Sequence, residues 1–234
     1  MTPPPLTPES RLHAVQTRIA HAAAEAVRDV AEVRLLAVSK TFDAAAVREL
    51  AACGQREFGE NYVQEALDKQ TQLADLPLVW HFIGPIQSNK TRAIAEHFSW
   101  VHGVDRLKIT ERLSAQRPAG LPPLQVCIEV NVCGEPSKGG VAVPQLRELA
   151  DAVAALPRLQ LRGLMAIPAP VADRDAQRTA FRQVRQAFDD LIARGHLIDT
   201  LSMGMSADLE AAILEGATIV RVGTALFGKR IYPG

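Results

Sequence analysis

The chain has 234 residues, a length that fits either two small domains or one α/β barrel of about 200 to 250 residues. Hydrophobic residues make up 47% of the chain and charged residues 22%, which excludes an intrinsically disordered protein. The 26 basic residues are balanced by 26 acidic residues. Because a phosphate backbone attracts a surplus of positive charge, nucleic acid is not an expected partner.

The sequence carries no signal for export or membrane insertion. It has no uninterrupted apolar run of about 18 residues, and its start, MTPPPLTP, lacks the basic and apolar regions of a signal peptide. Cys53, Cys127 and Cys133 form no CxxC pair, which argues against a disulfide framework or a zinc ribbon. We therefore expect a cytoplasmic protein with reduced thiols and no membrane contact.

The predicted elements alternate between helices and short apolar strands. After a flexible Pro-rich tail over residues 1–8, Thr7 can cap a helix that begins at Pro8 and runs to about Val30. The apolar run VRLLAVS from Val33 then predicts a strand buried on both faces. Seven more strands follow, each separated from the last by a predicted helix, at 56–59, 79–83, 100–104, 124–130, 159–167, 200–203 and 219–222.

Eight strands in alternation with helices predict a single α/β domain, a (β/α)8 TIM barrel over residues 9–234 with an extra N-terminal helix. An open doubly wound sheet is the alternative.

In a barrel, the functional residues follow the carboxyl ends of the strands. Lys40 stands at such an end, in a chain with six lysines and twenty arginines. A partly desolvated amine there can form a Schiff base with a carbonyl, although a solvated or ion-paired lysine is the other interpretation.

Two further strand ends have the composition of a phosphate site. In LSMGMSADLE, Gly204 permits a tight turn and Ser206 is predicted to begin a helix whose first amides lack partners. In RVGTALFG, Arg221 ends the last strand, while Gly223 and Thr224 offer backbone amides and a hydroxyl. Each motif alone also fits an ordinary helix cap, but together they predict a phosphate cup after strands seven and eight.

Polar side chains follow strands two and three in GENYVQE, which includes Asn61 and Tyr62, and in HFIGPIQSNK. His81 in the latter segment is interpreted as a hydrogen-bonded core residue without a catalytic role. The motifs HExxH, GxSxG, GxGxxG and GxxxxGKS are absent, which excludes the common zinc hydrolases, serine hydrolases and nucleotide-binding enzymes.

Five ordered motifs resemble those of the pyridoxal phosphate homeostasis protein family, whose single barrel is similar to the cofactor domain of alanine racemase. They are AVSK at 37–40, FGENYVQE at 58–65, HFIGPIQSNK at 81–90, LSMGMS at 201–206 and RVGTALFG at 221–228. The resemblance implies pyridoxal 5'-phosphate (PLP) as the cofactor. It also implies a Schiff base on Lys40, a ring position near Asn61 and a set of phosphate ligands consisting of the Met205 amide, Ser206, Gly223 and Thr224.

By the same resemblance Arg221 faces the pyridine nitrogen. A guanidinium only donates hydrogen bonds, so the ring nitrogen stays without a proton and the ring is a weak electron sink. The family therefore implies a protein of intracellular PLP homeostasis, with PLP-dependent apo-enzymes as recipients and no established reaction. Since one barrel can stand alone, we expect a monomer. Lys138, in the segment SKGGV, is a second amine without an assigned role.

Two enzymatic alternatives remain open at the level of sequence. An amino-acid racemase needs an acid or base on each face of the substrate, and the only tyrosines here are Tyr62 and Tyr232. A Schiff-base aldolase would use Lys40 without PLP and the phosphate cup for a sugar phosphate.

Overall fold

The computed structural model describes residues 6–132 and 139–228. Within them eight parallel strands close into a barrel, in the order β1-β2-β3-β4-β5-β7-β8-β9 and back to β1. The strands are β1 (Arg34–Val38), β2 (Glu57–Glu60), β3 (Val79–Phe82), β4 (Trp100–Val104), β5 (Leu124–Asn131), β6 (Val141–Ala142), β7 (Leu159–Met165), β8 (Thr200–Ser202) and β9 (Ile219–Val222). The predicted TIM barrel is confirmed, and the open sheet is excluded because β4 pairs with β5.

Helices connect successive strands around the barrel, and one more helix precedes β1. They are α1 (Pro8–Glu25), α2 (Ala44–Ala52), α3 (Val63–Gln72), α4 (Thr91–His97), α5 (Leu107–Gln116), α6 (Val143–Ala154), α7 (Arg174–Ala193), α8 (Leu209–Leu214) and α9 (Thr224–Phe227). The short strand β6, which the sequence did not predict, extends β5 outside the barrel by pairing with Val130 and Asn131.

Capping residues set the starts of two helices, and the cap of α1 was predicted. The Thr7 side chain accepts a hydrogen bond from the Ser10 amide, and Pro8 is the first residue of α1. The Asp43 side chain accepts from the Ala46 amide at the start of α2. The tail predicted over residues 1–8 therefore overlaps the helix by one residue, and residues 1–5 lie outside the described part of the chain.

The first helix is shorter than the sequence predicted, because it ends at Glu25 and not near Val30. Val27 adopts a left-handed backbone with φ of 55°, which an α-helix cannot contain. Arg28 then turns toward α8, where its Nη1 donates to the carbonyl oxygens of Ile213 (3.1 Å) and Ala217 (2.9 Å). These bonds tie the segment after α1 to the end of α8 and to the loop that follows it.

The longest helix, α7, packs through one apolar stripe. On α7 the stripe of Phe181, Val184, Phe188 and Leu191 is buried against the rest of the core.

Cys127 lies in the barrel interior, where burial raises the pKa of its thiol to about 12 and keeps it protonated. Among the described helices none combines the length and the apolar character needed to cross a bilayer. Cys133, Lys138 and Tyr232 lie outside the described residues.

Candidate functional site

A cavity of about 260 Å³ opens at the carboxyl ends of the barrel strands. All seven residues that the sequence suggested for the cofactor line it: Lys40, Asn61, Met205, Ser206, Arg221, Gly223 and Thr224. Apolar walls come from Val38, Ile83 and Ile167. The structure thus brings together side chains from strand ends up to 184 residues apart in sequence, as the barrel rule requires.

A buried ion-pair network holds the backbone on the strand side of Lys40. The Lys69 ammonium donates to the Ser39 carbonyl oxygen (2.8 Å) and to Glu60 Oε1 (2.7 Å), and the Ser39 hydroxyl donates to the same Glu60 oxygen (2.6 Å). Glu60 is fully buried and Lys69 nearly so. Burial raises the pKa of the Glu60 carboxyl, while Lys69 and Ser39 oppose that rise. Side chains of β2 and α3 therefore fix the backbone that follows β1.

The other side of Lys40 is fixed by Glu65. Its Oε1 accepts from the Thr41 amide (2.6 Å) and from Lys69 Nζ (2.6 Å), which links the residue after Lys40 to the same network. Thr41 has φ of 69°, a left-handed conformation that a β-branched residue adopts only under constraint. Both peptide groups that flank Lys40 are thus tied to α3.

Arg221 is the charged group in the floor of the cavity. Its Nη1 donates to the Ser202 carbonyl oxygen (2.6 Å) and to the Ser202 hydroxyl (2.9 Å), and its Nη2 donates to the Ala166 carbonyl oxygen (3.0 Å). Burial lowers the pKa of the guanidinium to about 10, against the opposing effects of Asp208 and Glu129. Arg221 therefore remains a cation at neutral pH and acts only as a donor.

Glu129 on β5 is a charged residue near the site that sequence reasoning missed. Its carboxyl is largely buried; burial and the neighbouring Asp105 raise its pKa, while Arg221 lowers it. The available signal was a single acidic residue within the largely apolar strand LQVCIEVN. Such a residue inside a barrel strand needs a partner of opposite charge, and Arg221 is close enough to influence its ionisation.

The turn after β8 differs from its prediction. Ser206 was expected to begin a helix, but α8 begins at Leu209 with Asp208 at its N-cap position. The reason is a tight turn in which the Met205 amide donates to Asp208 Oδ1 (2.6 Å) and the Asp208 amide donates to the Met205 carbonyl oxygen (3.1 Å). The Met205 amide, assigned to phosphate, therefore already has an anionic partner.

The loop after β9 approaches β1 closely. A Cβ atom at Gly223 would lie 3.3 Å from the Val38 carbonyl oxygen, so glycine lets the backbone come near both β1 and the cavity. Thr224 follows as the first residue of α9. Phe227 of this helix stacks on Phe42, with 4.9 Å between the ring centroids, and so ties the loop to the segment after β1.

Asn61 contributes a polar atom that lacks a partner. Its Oδ1 is buried and has no hydrogen-bond partner among the described residues, an arrangement that is costly unless a ligand supplies a donor. Gly84, at the end of β3, packs directly on its backbone, since a Cβ atom at Gly84 would lie 2.6 Å from the Asn61 carbonyl oxygen. Nothing in the local sequence HFIGP indicates this contact.

A second cavity of about 380 Å³ adjoins the first and shares Asn61 with it. Tyr62, Gln87 and Lys90 also line it, as expected for the polar segments after β2 and β3. Tyr62 is 56% exposed. His81, in contrast, is fully buried and hydrogen-bonded to His102, which confirms its interpretation as a core residue.

Comparison with known proteins identifies close relatives in sequence. A model of the family described as the N-terminal domain of alanine racemase matches residues 11–231. The "Pyridoxal phosphate homeostasis protein" of Pseudomonas aeruginosa is 67% identical over 218 residues, covering 93% of this chain and 94% of that protein. Its namesake in Escherichia coli K12 is 55% identical over 221 residues, with the same two coverages. The chain belongs to the pyridoxal phosphate homeostasis protein family.

Solved structures extend this relationship. PipY of Synechococcus elongatus PCC7942, solved with PLP bound, is 38% identical to this chain with a TM-score of 0.83. The match covers 94% of this chain and 100% of PipY. An alanine racemase of Clostridium difficile 630 has a TM-score of 0.70 at 15% identity. The match covers 96% of this chain but only 57% of the racemase chain. This second likeness concerns the barrel fold alone.

Proposed function

We propose that this chain binds PLP in the 260 Å³ cavity and holds it reversibly, as a protein of intracellular PLP homeostasis without a reaction of its own. The observation that carries the proposal is the convergence of Lys40, the buried Arg221 and the Gly223–Thr224 loop on one small cavity. The P. aeruginosa and E. coli relatives are named for PLP homeostasis, and the structure of PipY was solved with PLP bound.

The residues that line the cavity suit each part of PLP. When bound, PLP supplies an aldehyde that a lysine amine can hold as a Schiff base, and Lys40 is the lysine in this cavity. Ser206, Gly223 and Thr224 supply the backbone and hydroxyl donors that a phosphate requires. The buried and unpartnered Oδ1 of Asn61 can accept a hydrogen bond from a donor on the ring.

The partner of the ring nitrogen supports a role in binding over one in catalysis. Carbanion chemistry with PLP depends on electron withdrawal through a ring whose nitrogen is stabilised in its protonated form. Arg221 stays protonated and its bonds to Ser202 and Ala166 fix it as a donor, so it favours an unprotonated nitrogen. The chain thereby binds the cofactor while leaving it a weak electron sink.

The racemase alternative lacks support from a specific residue. Two-base racemisation needs a second acid or base on the far face of the substrate. Tyr62 lines the adjoining cavity, not the one that contains Lys40, and is more than half exposed. We therefore propose that PLP leaves the monomeric barrel unchanged and passes to PLP-dependent apo-enzymes.

The decisive experiment mixes the PLP-loaded protein with an excess of a PLP-dependent apo-enzyme and follows recovery of that enzyme's activity. A parallel reaction holds free PLP low with a trapping amine. The proposal predicts recovery in the presence of the trap, together with no exchange of the alanine α-hydrogen above the rate with free PLP. Failure to transfer PLP, or stereospecific exchange of that hydrogen, would overturn the homeostasis role.

A further inference from the structure

A line of buried polar side chains crosses the barrel interior below the cavity. It begins at Arg221, whose Nη1 donates to the Ser202 hydroxyl oxygen (2.9 Å). The same hydroxyl lies 2.8 Å from His102 Nδ1, and His102 Nε2 lies 3.0 Å from His81 Nδ1. Ser202, His102 and His81 come from β8, β4 and β3 and are each 0% exposed. A barrel core is normally apolar, so this line needs an explanation.

The line ends at a carboxylate on the opposite side of the interior. His81 Nε2 lies 3.6 Å from Glu57 Oε2, and neither atom has a hydrogen-bond partner among the described residues. The other oxygen of Glu57 is 3.2 Å from Arg34 Nη1, so this carboxylate is charge-balanced. Trp100 stacks against His81 with 5.4 Å between centroids and shields the imidazole from solvent. The line therefore has a cation at one end and an anion at the other.

Both imidazoles are neutral. Burial is the largest effect that lowers the pKa of His81 and of His102 well below the usual value, and nearby positive charge on Arg34 lowers both further. For His81 the second imidazole adds to this effect, and for His102 Arg221 does so. A neutral imidazole has one donor and one acceptor nitrogen, so each histidine adopts one of two tautomers.

The two ends of the line determine which tautomer is present. Ser202 Oγ accepts from Arg221, so its own hydrogen is available for His102 Nδ1, which must then be an acceptor. His102 Nε2 consequently donates to His81 Nδ1, and His81 Nε2–H points at the Glu57 carboxylate. The reverse order would turn a nitrogen lone pair of His81 toward that carboxylate. It would also leave the Ser202 hydrogen without an acceptor in the described residues.

We propose that His102 and His81 are positioning residues for Arg221, both held as the Nε2–H tautomer. Through this line they keep the Ser202 lone pairs turned toward the guanidinium. The consequence is a rigid Arg221 whose remaining N–H groups are aimed at the cavity. The part of the inference that concerns PLP rests on the proposed function, whereas the tautomers are a property of the protein alone.

The first test measures the tautomers in the PLP-free protein by two-bond ¹H–¹⁵N correlation spectroscopy of the imidazoles. Two of the six histidines are expected to show the Nε2–H pattern without change from about pH 5.5 to about pH 8.5, a range in which exposed imidazoles titrate. The His102→Gln variant should remove one of these two signals and so assign it. An Nδ1–H pattern, or a protonated imidazole at either position, would overturn the inference irrespective of any PLP binding.

The second test compares two replacements of His102 by their affinity for PLP and by the absorption maximum of the bound form. Gln carries one amide oxygen and one amide NH₂, so His102→Gln can preserve the direction of the line, whereas His102→Leu interrupts it. We expect His102→Leu to bind PLP roughly tenfold more weakly with a shifted maximum, and His102→Gln to stay near wild type. The exposed His97→Gln is the matched control.

Ser202→Ala keeps the experiment decisive if His102→Leu does not fold, because it removes the hydroxyl that joins His102 to Arg221 with a smaller change in volume. The same weakening and spectral shift are expected. Wild-type affinity and an unchanged maximum in folded Ser202→Ala or His102→Leu would contradict the positioning role. If wild type itself binds no PLP while the tautomers are as predicted, the proposed function fails and the hydrogen-bond line stands.

Discussion

The backbone amide of Met205 donates to the carboxylate of Asp208, with 2.6 Å between the nitrogen and Oδ1. Met205 lines the cavity in which we place the phosphate of PLP. An anionic side chain therefore already occupies one of the donors that the phosphate would use. Burial raises the pKa of the Asp208 carboxyl, while the Met205 bond and Arg221 oppose that rise. Asp208 thus competes with an incoming phosphate for the same donor.

We predict that Asp208→Asn tightens PLP binding. The substitution keeps an acceptor for the Met205 amide but removes the negative charge that repels the phosphate. The expected gain is about 1 kcal/mol, or roughly fivefold in Kd. Titration calorimetry with PLP and with inorganic phosphate measures it, with the exposed Asp190→Asn on α7 as the control. Unchanged or weaker binding of both ligands by folded Asp208→Asn would contradict competition.

Gly84→Ala should disturb the position of Asn61. The new Cβ would lie 2.6 Å from the Asn61 carbonyl oxygen, so one of the two segments must move. Overpacking of this kind costs about 1 to 3 kcal/mol. Urea denaturation should show that loss of stability, and PLP titration should show weaker binding. Gly120→Ala is the matched control, since its Cβ would meet nothing within 4 Å; equal behaviour of the two variants would refute the close contact.

Lys69→Met should be strongly destabilising. It would leave the fully buried Glu60 without its cation, a change that typically costs about 3 to 5 kcal/mol. Adding Glu60→Gln in the same chain removes the buried charge and should restore most of the lost stability. Chemical denaturation of the single and double variants measures both effects.

The surface pair Arg92–Glu96 provides the comparison for Lys69→Met, because its members are substantially exposed and solvent screens them. Arg92→Met should therefore remain close to wild type. A Lys69→Met protein as stable as Arg92→Met would contradict a stabilising role for the buried pair of Lys69 and Glu60.

The buried histidines should make stability depend on pH just below neutrality. Their pKa in the folded state is lowered, so above about pH 6.5 they are neutral in both states and contribute no dependence. Below that value the unfolded chain binds protons that the folded chain does not, and stability falls. Each histidine contributes a loss of about 1.4 kcal/mol between about pH 7.5 and about pH 5.5.

His102→Gln isolates this effect, since it removes one of the two histidines. Urea unfolding at both pH values should show a smaller loss in the variant than in wild type. Glu60, Glu129 and Asp208 have raised pKa values that act in the opposite direction, but they are present in both proteins and cancel in the difference. An identical pH dependence would indicate that the pKa of His102 is the same in the folded and unfolded states, and would contradict its burial as a neutral imidazole.

The barrel and the composition of its mouth were predictable from local patterns. Apolar runs that end in polar residues identify buried parallel strands, and the rule for strand ends selected Lys40, Asn61 and Arg221, which the structure brings to one cavity. These predictions needed only residues adjacent in sequence. The cofactor itself came from the resemblance to a family and not from the spacing.

The details that sequence missed depend on contacts between distant segments. Ser206 and Asp208 are both good N-cap residues, and only the folded turn shows that Asp208 takes the position. The His102–Ser202 contact joins residues one hundred positions apart, so no local pattern could indicate it. The role of Gly84 likewise depends on the approach of Asn61 from the neighbouring strand end.

The central claim, that Lys40 holds PLP, is tested most directly by borohydride reduction of the PLP-loaded protein followed by peptide mass spectrometry. We predict a pyridoxyl group on Lys40 in wild type and in the control Lys108→Ala, whose lysine is exposed on α5. Folded Lys40→Ala should lack the modification and the absorption of bound PLP. A pyridoxyl group on another lysine of wild type, or undiminished covalent attachment in Lys40→Ala, would contradict the account.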